Sequence, residues 1–150
     1  MVVLNAQMIG AALNDLLATH TRGLSRHLQE AKPYLTATTY PIWKDIQKML
    51  AASAHHAELI SHLLDQLQIN ERAASFELAV ARFHYTQLSH LLPMLIEEKQ
   101  SQVDAYLRAI DHTGDDRQTA GQLNELLADV QGQLVRLQQH QKQVKDPAGV

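Results

Sequence analysis

The chain has 150 residues, a formal net charge of −3, 45% hydrophobic and 5% aromatic residues, and no cysteine. That length fits one domain whose core needs neither a disulfide nor a structural metal. Without cysteine there is no disulfide scaffold and no thiol chemistry, and so slight a charge gives no strong field for nucleic acid or anionic lipid.

Leu and Ala dominate the apolar content, and both favour helix, so composition leans all-α. Met1-Val2-Val3-Leu4-Asn5 carries no basic side chain, which argues against a secretory signal. No apolar run has membrane-spanning length, so the expected address is the cytoplasm, with no membrane and no nucleic acid as partner.

The spacing predicts four helices. The first runs from Asn5 to Ala31, on Ile9, Leu13, Leu16, Leu17, Leu24 and Leu28, and Lys32-Pro33 ends it. The second runs from Pro41 to Gln68, opened by its proline and striped by Ile42, Ile46, Met49, Leu50, Ala57, Ile60, Leu64 and Leu67. The short link between them forces an antiparallel pair.

Residues 69–87 read as an extended crossover, although Phe76, Val80 and Phe83 would also suit a helix. At full extension about 18 residues reach ~60 Å, more than the ~37 Å of a 25-residue helix. The crossover can therefore start the third helix parallel to the second. That helix runs from Leu88 to Asp111 with Pro93 in an early turn. Gly114 turns the chain into a fourth helix, Arg117 to Val144, on Leu123, Leu126, Leu127, Val130, Leu134 and Leu137. Residues 1–145 form one four-helix bundle domain on this reading, and 146–150 a disordered tail.

A bundle keeps its chemistry in its core, so the informative residues are polar ones on the apolar stripe. At about 100° per residue, His20 and His27 share the stripe of the first helix. Ser53 is central on the second and His56 lies toward its edge. Lys99 is central on the third, with Gln102 near the edge and Glu97 and Glu98 well off it. Gln133 flanks Val130 on the fourth. Matching levels across the turns brings His20, Ser53, His56, Lys99, Val130 and Gln133 into one mid-bundle layer.

The chain resembles the ferritin-like superfamily. The likeness lies in the short, long, short order of links, and in Leu13-Asn14-Asp15-Leu16-Leu17, Leu24-Ser25-Arg26-His27-Leu28, Pro33-Tyr34-Leu35, His56-Ala57-Glu58 and Leu91-Leu92-Pro93-Met94-Leu95-Ile96-Glu97. The resemblance implies a di-iron site built from a Glu on helices one and three and a Glu-x-x-His on helices two and four. Here those positions read His20, Ser53 with His56, Lys99 or Glu97, and Val130 with Gln133. No Glu-x-x-His occurs, and two bridged cations need carboxylates that the inward faces lack. A buried ammonium at Lys99 would repel metal further. The implied scaffold is ferritin-like with a degenerate di-iron site.

His20 and His56 can alternatively be read as ligands of a single transition-metal ion, against two core histidines bonded to Ser53, Gln133 or each other. Lys99 reads as a catalytic amine or as a stem that snorkels its charge outward. His55, Glu58 and His62 read as a solvated face. Hemerythrin-like pairs, HExxH, Walker and nucleophile-elbow patterns are absent. The leading expectation is a non-enzymatic, cytoplasmic protein acting through protein association or small-ligand binding. A homodimer is expected, with Tyr34, Tyr40 and Trp43 as aromatic contact area. The rival is a mononuclear metal protein or oxidoreductase using His20 and His56.

Overall fold

A computed structural model describes residues 2–72 and 87–145, with side chains from 7 to 72 and from 87 to 144. It contains five packed helices: α1 (Val2–Thr21), α2 (Gly23–Leu28), α3 (Tyr40–Gln66), α4 (Leu88–Asp111) and α5 (Arg117–Lys145). The only other pairing among the described residues is an isolated parallel bridge between Tyr34 and Gln87. Most of the expected crossover and the expected tail lie outside the described residues. No described helix is long and apolar enough to cross a membrane.

The expected first helix is two helices. Gly23 adopts φ +85, which a helix interior does not tolerate, and the chain restarts as the six-residue α2. The break lets α4 approach: Glu98 of α4 sets its carboxylate against the backbone N–H of Ser25, at 3.2 and 3.4 Å. The wheel of the third helix puts Glu98 well off its apolar stripe, and a wheel drawn straight through Gly23 shows no room for it on the first. In the fold its side chain is half-buried.

Local chemistry sets the other ends. Thr36 and Thr39 exchange backbone-to-hydroxyl bonds before α3, and Pro41 occupies its first turn. After α3, Ile69 N–H donates to Leu64 O at 2.8 Å and Gln68 N–H to Asp65 O at 3.0 Å. That is a Schellman ending, with Gln68 in the left-handed region usually given to glycine. Asp116 caps α5 by accepting from Thr119 N–H and Thr119 O–H. Gly114 has φ +58 in the turn between α4 and α5.

Cross-helix bonds give the register. His20 on α1 meets Ser53 on α3, and Gln102 on α4 reaches Thr19 O on α1. Asp45 on α3 meets Arg136 and His140 on α5, while His56 further along α3 meets Asp129. Numbers rise on α3 as they fall on α5, so those two run in opposite directions. Leu88 N–H donates to Tyr34 O at 3.1 Å, which starts α4 beside the link that leads into α3.

The apolar core is divided. One cluster joins Leu13, Leu16, Ile60, Leu64, Tyr106 and Leu123. The other joins Leu28, Ile46, Leu88, Leu92, Leu95 and Leu137. On every long helix the residues between the two clusters are polar and buried: His20, Ser53, His56, Lys99, Gln102 and Gln133.

Candidate functional site

Each long helix contributes to this layer through the stripe that also carries its leucines. His20 is the hub. Its Nδ1 lies 2.7 Å from Ser53 Oγ and 3.3 Å from Gln102 Nε2, and its Nε2 lies 2.8 Å from Tyr106 Oη. The Gln102 amide is oriented from both ends, donating from Nε2 to Thr19 O at 2.8 Å and accepting at Oε1 from Lys99 Nζ at 3.1 Å. With an amide N–H aimed at it, His20 Nδ1 is assigned as the acceptor. Ser53 O–H then donates to Nδ1, and His20 Nε2–H donates to Tyr106. The His20 ring stands nearly perpendicular to His56, with centroids 5.5 Å apart, and to Tyr106, 5.7 Å apart.

His56 joins this layer to the surface. Its side chain is 2% exposed, yet Nε2 lies 3.0 Å from Oδ2 of Asp129, which is 68% exposed. The carboxylate takes the Nε2–H. His56 Nδ1 and Gln133 Oε1 are buried and have no protein partner.

Electrostatics keep the imidazoles neutral. Burial, then the neighbouring Lys99 and His56, push His20 down to about 2. Burial also lowers His56, against the opposing pull of Asp129. Burial brings the Lys99 ammonium down to about 8 while Glu98 holds it up. Tyr106 is raised by burial and by Asp129. Glu98 is raised by burial, opposed by its bond to Ser25.

Of the residues expected in the layer, His20, Ser53, His56, Lys99 and Gln133 are buried. His27 is not part of it. The Gly23 break moves it onto α2, where it is half-buried. Lys99 does not snorkel; it is 3% exposed and turned toward Gln102. Trp43 is buried in the second apolar cluster, so it adds nothing to an exposed aromatic surface, whereas Tyr34 and Tyr40 are exposed. The Tyr106 hydroxyl, which meets His20 Nε2, is not among the residues expected in the layer. Asp129 was missed because it sits on the solvent edge of its helix. The four-residue step from Asp129 to Gln133 was the available signal.

The two proposed metal ligands differ. His20 has both ring nitrogens engaged by protein, while His56 keeps Nδ1. Among the described residues, no group of three His, Asp or Glu side chains is placed to hold a metal ion. A separate cleft of about 750 Å³ opens between α1 and α3, lined among others by Asp15, Arg22, Glu58, Ser61, Glu71 and Arg72. Arg72 is fixed across it by Asp15 at 2.6 Å, and Asn14 ties the 70–72 backbone to α1.

Comparison with family models, curated proteins and solved structures finds no match to this chain.

Proposed function

We propose that the chain is a ferritin-like four-helix bundle that has given up di-iron chemistry and works as a binding protein. The arrangement proposed is two antiparallel pairs, α1 with α3 and α4 with α5, joined by a long crossover, with α2 as a terminal piece of the first helix. The opposite running of α3 and α5 and the start of α4 beside the link into α3 support it.

The functional reading rests on one observation. His20, which on this reading takes the place of the family's first-helix carboxylate, spends both ring nitrogens on Ser53, Gln102 and Tyr106. Neutral donors and one ammonium line this layer, and that chemistry disfavours a pair of cations. The α1/α3 cleft has the volume of a small-molecule site. Self-association through exposed Tyr34 and Tyr40, and a cytoplasmic address, complete the proposal.

Elemental analysis of tag-free protein purified without chelator tests it. The expected result is no stoichiometric transition metal and an unchanged unfolding midpoint in EDTA. Two metal ions per chain, lost on substitution of a carboxylate, would overturn it. A mononuclear site is the second reading, because His56 Nδ1 is buried without a protein partner. One ion per chain, abolished by His56→Ala, would establish that reading instead.

A further inference from the structure

Hydrogen-bond bookkeeping in the polar layer leaves both acceptors and donors without protein partners. Two acceptors have no protein partner: Gln133 Oε1, and His56 Nδ1, whose ring gives its proton to Asp129 from Nε2. Two donors have capacity left. Gln102 takes one of the three Lys99 N–H groups, and Tyr106, accepting from His20, keeps its own O–H. Buried polar groups are satisfied in folded proteins, so this remainder needs a partner.

The register between α3 and α5 brings His56 and Gln133 to neighbouring levels. Asp45 with His140 and His56 with Asp129 share one register between α3 and α5, which puts Gln133 about one turn from the level of His56. Side chains lean toward the N-terminus of their own helix. Since α3 and α5 run in opposite directions, His56 leans toward the level of Gln133, and Gln133 toward the level of His56. Lys99 reaches from α4 toward Gln102, which itself contacts His20, and the His20 ring lies against His56.

We propose that this layer is a binding site for one buried water molecule, which donates to His56 Nδ1 and Gln133 Oε1 and accepts from Lys99 Nζ and Tyr106 Oη. Two donations and two acceptances are the valence of water, and buried waters take two to four such partners. An anion would meet the lone pairs of His56 and Gln133, and a metal ion would meet the ammonium. The depressed titration of His56 agrees with a ring whose inner nitrogen stays an acceptor. The site gives His56 a role at both faces, to solvent through Asp129 and to the core through the water. It does not depend on the binding function proposed above.

A crystal structure of the unmodified protein at atomic resolution tests it directly. The expected result is one ordered water within hydrogen-bond reach of both His56 Nδ1 and Gln133 Oε1. Direct bonding of those atoms to protein groups, or density for a metal or an organic molecule between them, would overturn it. Gln133→Leu supplies an independent readout. If Gln133 holds the water, the urea midpoint falls, and combining it with Lys99→Met costs less than the sum of the two changes. A midpoint that rises in Gln133→Leu, as replacing an unpartnered acceptor by an apolar side chain should give, would sink the proposal.

Discussion

Lys99 carries an ammonium that the fold buries. It is 3% exposed, with one hydrogen-bond partner named in Gln102 and two imidazoles nearby. Its folded value, about 8, lies below the ordinary 10.5. Between these values the unfolded chain holds a proton that the folded chain has released, so stability rises with pH across the window. Tyr106 acts in the opposite sense above its ordinary value of 10.0, because its folded pKa is raised and the unfolded chain deprotonates first. The clean window is therefore from about 8 to 10. Urea unfolding should give a rise approaching about 1.4 kcal/mol per pH unit there. Lys99→Met should abolish the rise, whatever the variant's absolute stability. A rise that persists in Lys99→Met would mean another group titrates. The inward placement of Lys99 was legible, because one position at the centre of an apolar stripe fixes a direction. Its partner was less so, because a helical wheel assigns faces and not the reach of an amide or a hydroxyl.

At the scale of elements, α4 runs from Leu88 to Asp111, as its periodicity and the Gly114 turn predict. The same reasoning failed at the α1/α2 break. Apolar spacing continues through Leu17, Leu24 and Leu28, so the stripe alone gives no stop signal. Only Gly23 marks the place, and what the break accommodates, the Glu98 carboxylate, comes from a helix more than seventy residues away in sequence. The end of α3 carries a local conflict of another kind. Gln68 sits at φ 59 in a Schellman ending, and Ile69 after it packs onto the first apolar cluster. A side chain in that backbone region costs roughly 1–2 kcal/mol, and glycine relieves it. Glycine's larger unfolded entropy takes some of this back. Gln68→Gly should therefore raise stability by about 1 kcal/mol in urea unfolding, since Gln68 is exposed. A fall of that size would mean that the glutamine side chain makes a contact worth more than the strain it carries.

For the whole molecule, the polar layer lies between the two apolar clusters along each long helix, so its protonation state bears on both halves of the core. Burial holds His20 and His56 neutral, His20 down to about 2 against an ordinary 6.5. Both folded values are depressed. As pH falls below 6.5 the unfolded chain takes up protons that the folded chain refuses, and stability is lost. For His20 alone the loss reaches about 2.5 kcal/mol at pH 4.5, a sizeable part of the 5–15 kcal/mol typical of a domain. His56 adds in the same direction. Glu98 opposes them: its folded value is raised, so the folded chain binds a proton first and recovers stability as the pH falls through that window. Two imidazoles against one carboxylate leave a net loss. Urea midpoints should therefore fall steadily from pH 7 to 4.5. His20→Gln removes the largest titrating share, so its midpoint should start lower, because Ser53 and Tyr106 lose their shared partner, but decline less steeply over the same range. Parallel slopes in the two proteins would show that His20 takes up its proton in the folded state, and that the layer is open enough to water to let it.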